Sequence, residues 1–227
     1  VFDIESYPVD NIAMAVGGDA MNESTIISRL GFKTGLMAAI GDDAAGAFIL
    51  RSCYEDNIDT EGVTIDPNLN TSINIGLVTE DGERTFITVQ GAECHFKKEW
   101  FEQIDMDNYE NIYIAGYQVC GKSGEIISQW LKTVENVEEK HIFFAPGPMI
   151  TAIESETMEN LFALKPILHI NEAEAKGYTQ QENVEEAVRA LYEKSGNLVF
   201  VTLGAEGTLF YDGKEMRRVA SVSLHLC

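Results

Sequence analysis

Basic residues are scarce in this chain of 227 residues: 16 Lys and Arg stand against 37 Asp and Glu, for a formal net charge of -21. Such a charge disfavours binding to a phosphate backbone or an anionic membrane, so neither nucleic acid nor membrane is an expected partner. An anionic small molecule is not excluded, because helix termini, local donors and a divalent cation can hold phosphates inside an acidic protein. Cysteine is sparse as well. The four, Cys53, Cys94, Cys120 and Cys227, are far apart, with no C-x-x-C pair and no histidine cluster beyond Cys94-His95. A disulfide framework and a zinc site are therefore not expected. Cys53 and Cys120 read as small apolar residues, and His95, His141, His169 and His225 as surface or strand-edge residues. No apolar run reaches the roughly 18 residues of a membrane helix. The start, Val1-Phe2-Asp3-Ile4-Glu5, has no basic stretch and no signal-peptide core, which makes the cytoplasm the default location. No Gly-x-Gly-x-x-Gly follows an early strand, which argues against a dinucleotide-dependent dehydrogenase. Internal repeats and low-complexity linkers are absent too.

What is present is a 45% apolar composition, ordinary for a globular protein and enough for a sizeable core. Short apolar runs alternate with helix-period segments. Leu36 to Ile40 reads as a buried strand, followed by a helix near Ala44 to Asp56 with Ala45, Phe48, Ile49 and Cys53 on one face. Asp42-Asp43 reads as the cap of that helix rather than as a catalytic carboxylate pair. Ile112 to Ala115 is a further strand, and the helix from Ser123 to about Glu135 carries an apolar stripe with Ser123 as its expected cap. Strand His141 to Ala145, helix Glu154 to Ala163, strand Ile167 to Ile170, helix Val184 to Lys194 and strand Leu198 to Thr202 continue the pattern. Repeated β-α units predict an α/β fold with a parallel sheet flanked by helices. Ligands of such sheets sit beyond the carboxyl ends of strands, where Asn171 and Thr202 fall.

Two stretches depart from the alternation. Ser72 to Thr79 and Arg84 to Gln90 read as a hairpin turning at Asp81-Gly82, with Ile73, Ile75 and Leu77 on one face. Two strands alone are marginal in water, so residues around Val9 to Val16 are expected to pair with them in a small projecting sheet. A last hairpin, Gly207 to Tyr211 and Glu215 to Val219, follows the final strand.

The most informative segment is Gly17-Gly18-Asp19-Ala20-Met21-Asn22, then Gly31, then Gly41-Asp42-Asp43-Ala44-Ala45-Gly46. A glycine pair before a helix lets backbone approach a ligand and leaves unpaired N–H groups at the helix start. It is also a common tight turn. Three more segments follow in order: Gly82-Glu83-Arg84-Thr85-Phe86, Asn171-Glu172-Ala173-Glu174 and Thr202-Leu203-Gly204-Ala205-Glu206-Gly207. Together they resemble the signatures of the ribokinase-like (PfkB-type) carbohydrate kinases, over nearly the whole chain.

That resemblance implies a ribokinase-like parallel sheet with a small β lid, ATP and Mg²⁺ as cofactors, and transfer of the γ-phosphoryl group of ATP to a sugar hydroxyl. It places Gly17, Gly18 and Asn22 at the sugar, Asn171, Thr202 and Gly204 at the nucleotide, and Glu174 near Mg²⁺. On their own residues, Asn22 reads as a helix-start amide, Asn171 to Glu174 as an ordinary helix cap with an acidic first turn, and Gly204 to Gly207 as a turn. Arg84 is either a hairpin surface charge or a lid residue near the substrate, and the roles of Tyr117 and Gln118 stay open. In the resembling family the lid is often a dimer surface, so a homodimer is an expectation.

Three departures qualify the resemblance. Asp19 stands where the ribokinase subgroup has a lysine near the phosphates. Ala145 stands where many fructose- and ketogluconate-type members have an aspartate, which keeps other sugars and nucleosides open. The Gly-Ala-Gly-Asp segment that carries the family's catalytic base, and the first strand with its sugar-binding aspartate, do not occur in these 227 residues. One ribokinase-like domain over 1–227, incomplete at both ends and without its catalytic residue, is the expectation; its lid strands fall within about 1–16 and 72–90. Missing ends should also leave part of the core uncovered. A non-catalytic sugar- or nucleotide-binding regulatory protein on the same fold is the alternative.

Overall fold

The computed structural model describes residues 11–79, 84–102 and 104–222. Its centre is a six-stranded sheet in the order β10-β9-β8-β7-β6-β5. The strands are β5 (Asn111–Ala115), β6 (His141–Ala145), β7 (Ile167–Asn171), β8 (Val199–Thr202), β9 (Thr208–Tyr211) and β10 (Met216–Val219). β5 to β8 are parallel, whereas β9 and β10 close the edge as the antiparallel hairpin expected from the sequence.

Because β5 to β8 follow one another in sequence and in space, right-handed crossovers must put their helices on the same face. These helices are α3 (Gly121–Leu131), α4 (Ser155–Ala163), α5 (Glu172–Thr179) and α6 (Val184–Ser195). Between helices and sheet lies the main core, with Phe144, Leu131, Leu161, Leu168, Leu191, Val199 and Val201 almost fully buried. Along β6, β7 and β8 the buried set alternates, with Ile142 and Phe144, Leu168 and Ile170, and Val199 and Val201 turned into this core. The other set, including His169 on β7 and Phe200 on β8, is more open.

A smaller unit precedes this sheet: α1 (Asp19–Arg29), β1 (Ala38–Gly41), α2 (Ala44–Glu55) and β2 (Val63–Asp66), with β1 and β2 parallel. Met21, Leu36, Cys53 and Ile58 form its own small core. α1 contacts β5. Tyr113, which alternates away from the buried Ile114, lies near Asp19 and Glu23; burial first, then those two carboxylates, pushes its phenol up to about 12. Ile26, Leu30 and Phe32 are exposed on and just beyond α1.

The third sheet is the hairpin of β3 (Ile73–Val78) and β4 (Arg84–Val89), paired Ile73 to Val89 through Val78 to Arg84. Its turn at Asp81-Gly82 lies outside the described residues. Of the face expected from the sequence, Ile73 and Ile75 are exposed and Leu77 is half-buried; Val78, Phe86, Ile87 and Val89 are exposed as well. The third strand expected around Val9 to Val16 is also not formed among the described residues. Residues 11–16 have no ladder pairing, and 9–10 lie outside the description. Ile12 and Met14 are exposed, so that stretch has no buried face to fix a strand register.

Most expected elements occur with boundaries moved by a few residues, and two details differ. Leu36 precedes its strand: β1 starts at Ala38, and Leu36 N–H instead donates to Asp59 O at 2.9 Å. Ser123 is not a cap. α3 begins two residues earlier, and the buried Ser123 hydroxyl donates to Cys94 O at 3.0 Å while accepting from Phe96 N at 3.3 Å. The carboxylate of Glu154 takes over at that helix start, accepting from Gly121 N at 2.9 Å. Cys53 is fully buried beside Met21 as expected, while Cys120 is only partly buried. His95, His141 and His169 are exposed; His225 and Cys227 lie outside the described residues.

Candidate functional site

β7 and β8 run side by side and finish together, with Asn171 paired to Thr202 in the ladder and Thr202 paired in turn to Thr208 of β9. The end of β8 is therefore paired on two sides, whereas the end of β7 is paired on the β8 side alone, its ladder with β6 stopping at Leu168. Beyond them lies a cleft of about 430 Å³ lined by Asn171, Glu172, Ala173, Lys176, Thr202, Leu203 and Gly204. Three residues assigned to the nucleotide from the sequence, Asn171, Thr202 and Gly204, thus meet in one place, at the carboxyl ends of parallel strands where the fold concentrates ligand sites.

The walls differ in construction. On one side Asn171 caps α5: its Oδ1 accepts from Glu174 N at 2.8 Å, and Glu174 Oε2 accepts from Asn171 N at 3.1 Å. This reciprocal capping box satisfies two helix-start groups with the pair's own side chains. The cap reading of Asn171 and Glu174 is thus realised, and Glu174 does not line the cleft. Glu172 and Lys176, one turn apart on α5, form an ion pair at 2.5 Å.

On the other side the chain leaves β8 through a tight turn in which Leu203 N donates to Gly207 O at 2.8 Å. Gly204 has φ +59, a left-handed conformation, and a Cβ built there would meet nothing within 4 Å. It offers bare backbone to open space. Gly207 is different, since a Cβ there would lie 1.9 Å from Val219 O. It serves the packing of the final hairpin. Thr202 and Gly204 also border a second cleft, of about 530 Å³, with Phe200, Phe210 and Val219 on its walls.

Gly17, Gly18 and Asn22 line neither of these clefts. They lie at the start of α1, which touches β5 at the far side of the main sheet from β8. Gly18 is the N-cap, with φ 106 and no side-chain cap bond, and both glycines have open space where a Cβ would stand. Asn22 is exposed, its N–H donating to Gly18 O at 2.9 Å. The second glycine loop is structural. Asp43 caps α2, with Oδ1 accepting from Gly46 N and Oδ2 from Thr71 N, each at 2.8 Å. These bonds, Thr71's first, hold its carboxyl below the usual range.

Among the described residues no group of three His, Cys, Asp or Glu is placed to cage a metal ion. Magnesium carried by a nucleotide does not require a cage, since it keeps most of its waters and needs one or two carboxylates. Glu174 retains one carboxylate oxygen outside the capping box, which fits that use. Sequence reasoning missed Lys176 and Glu172 as wall residues. Their four-residue spacing at the start of a helix was the available signal.

Comparison with known proteins bears on the family and the fold. The profile described as pfkB family carbohydrate kinase matches residues 3–223. The uncharacterized sugar kinase YegV of Escherichia coli K12 is 24% identical over 202 residues, covering 86% of this chain and 61% of that protein. The probable chloroplastic fructokinase-6 of Arabidopsis thaliana is 23% identical over 207 residues, covering 87% of this chain and 54% of its own length. The chain thus spans little more than half of these relatives. Among solved structures, ribokinase from Thermotoga maritima superposes with a TM-score of 0.77 at 20% identity, over 97% of this chain and 71% of that one. Fructokinase from Vibrio cholerae, bound to fructose, ADP and calcium, gives 0.72 at 20% identity, over 92% and 70%. With four motifs in order, a ribokinase-like α/β architecture and a family profile spanning nearly every residue, the chain belongs to the pfkB family of carbohydrate kinases.

Proposed function

We propose that this chain supplies the nucleotide cleft and part of the acceptor site of an ATP-dependent kinase that moves the γ-phosphoryl group to a sugar hydroxyl. The observation that carries the reading is the meeting of Asn171, Thr202 and Gly204 in one cleft at the ends of β7 and β8. In this reading Thr202 and the bare backbone at Gly204 contact ATP, and Asn171 with its capping box fixes the opposite wall. Positioning and electrostatic stabilisation dominate phosphoryl transfer, so a rigid cleft is the relevant contribution. Mg²⁺ would be held by the nucleotide phosphates and, through water, by the free oxygen of Glu174; when bound it neutralises phosphate charge.

Gly17, Gly18 and Asn22 are assigned to the sugar side. The open backbone at the glycines and the exposed amide of Asn22 suit hydroxyl recognition, which needs groups that both donate and accept. The acceptor class stays between sugars and nucleosides. A local match of 38% identity over 82 residues to aminoimidazole riboside kinase of Salmonella typhimurium favours keeping the nucleoside reading. The hairpin of β3 and β4 is proposed as lid and dimer surface, because its exposed apolar residues lie on both faces. ATP as cosubstrate favours the cytoplasm as the working compartment.

The alternative is a non-catalytic sugar- or nucleotide-binding regulatory protein on the same fold. The test combines ATP titration with an assay of sugar-dependent ADP release. ATP binding without turnover is expected of this chain. Failure to bind ATP refutes the nucleotide cleft, and robust sugar-dependent turnover refutes the absence of a catalytic base.

A further inference from the structure

Lys176 is the single cation among the seven residues lining the cleft. The chain around it is strongly acidic, 37 carboxylates against 16 basic side chains. A polyphosphate entering such a protein requires local positive charge, and α5 provides it at a defined point. Lys176 lies one turn after Glu172 and three residues after Ala173, so all three share one helix face, and that face is the cleft wall. Its ammonium is held by Glu172 Oε1 at 2.5 Å, with the two side chains 35% and 43% exposed. An ion pair of that kind, i to i+4 on an exposed helix face, is weak. A phosphate, carrying more charge and more acceptor oxygens than a carboxylate, displaces it readily.

We propose that Lys176 is the phosphate-contacting cation of this cleft and that Glu172 is its competing partner, so that nucleotide entry exchanges the Glu172 carboxylate for a phosphate oxygen on the Lys176 ammonium. The inference rests on the nucleotide reading of the cleft. It assigns opposite roles to two residues that a purely structural ion pair would treat alike. Lys176 strengthens phosphate binding; Glu172 restrains it.

The test is calorimetric titration of the chain and its Lys176→Met, Lys176→Arg and Glu172→Gln variants with ATP and, separately, with adenosine. Lys176→Met is expected to weaken ATP binding about tenfold, the loss of one charge-assisted contact. Adenosine binding should be unchanged, because adenosine carries no phosphate. Lys176→Arg should retain most of the ATP affinity, and Glu172→Gln should tighten it about threefold by releasing the ammonium. Equal ATP affinity in Lys176→Met and the parent chain overturns the lysine assignment alone. Parallel weakening by Lys176→Met and Glu172→Gln, of ATP and adenosine together, shows only a helix staple and overturns it too. Absence of ATP binding by the parent chain overturns the nucleotide reading, and this assignment with it.

Discussion

Asp43 is the residue on which the second glycine loop depends, and its replacement gives a measurable test of that role. Its two carboxylate oxygens accept from Gly46 N and Thr71 N, each at 2.8 Å. Thr71 is buried, and its hydroxyl accepts from Gly41 N at 2.9 Å. The Asp43 side chain thus ties the start of α2 to the approach to β3, and the Thr71 hydroxyl adds the end of β1. Asp43→Ala removes the cap, worth about 1 kcal/mol, and deprives the buried Thr71 amide of a charged acceptor, worth about 1.5–3 kcal/mol. Partial access of water to Asp43 lowers the sum, so about 3 kcal/mol is expected, or roughly 6–12 °C in Tm at this chain length. Asp43→Asn keeps one carbonyl acceptor and should lose about half as much. Differential scanning fluorimetry with urea denaturation reads both.

The pH dependence gives a second readout from the same variants. Asp43 titrates below its ordinary 3.8 in the folded state, held there by the Thr71 and Gly46 amides. Between the unfolded and the depressed native value the unfolded chain binds more protons, so the stabilisation is complete above about pH 4 and declines as pH falls through the native value. Asp43→Asn should lack this component of acid loss. An Asp43→Ala shift below about 2 °C, or an acid limb identical in Asp43→Asn and the parent chain, refutes the structural role.

Lys97 gives a related test at a second tie between β2 and the following loops. Its ammonium lies 2.6 Å from Asp66 Oδ2, and that contact, ahead of the Asn68 amide, lowers the Asp66 carboxyl. Lys97→Met should move the Asp66 titration, followed by carboxyl NMR, upward toward the ordinary carboxylate range; an unchanged titration contradicts the pairing. The hairpin of β3 and β4 is tested by size: Ile75 and Ile87 face each other across the ladder and both are exposed. Replacing both by Ser should convert a dimer to a monomer in sedimentation velocity, whereas a parent chain that is already monomeric at high concentration rules out the hairpin as a dimer surface.

The α/β alternation was legible because the strand and helix periods are strong from Ile112 to Thr202. The Asp43 cap and the final hairpin were legible from turn and cap chemistry. Less legible were features set by tertiary partners. Ser123 has the composition of a cap, yet its hydroxyl is drawn to Cys94 O and the helix begins earlier. The hairpin reads as half-buried from its apolar residues, but burial depends on what lies against it, and among the described residues nothing pairs with it as a third strand. Glycine roles split in a way sequence spacing does not reveal: Gly204 faces open space, while a Cβ at Gly41 would lie 2.3 Å from Leu69 O and one at Gly46 2.3 Å from Gly41 O. The same holds for Asn171 and Glu174, whose cap and site readings share the same atoms. Lys176 was overlooked because one lysine in an acidic helix reads as a solvated charge until the opposite wall is known.

The most direct test of the nucleotide cleft is hydrogen–deuterium exchange of the 227-residue chain with and without Mg²⁺ and ATP. Protection is expected to concentrate at residues 171–176 and 202–207, with little change at β10 or in the β3–β4 hairpin. Nucleotide binding that leaves both segments unprotected, or protects a different part of the sheet, contradicts the assignment of this cleft.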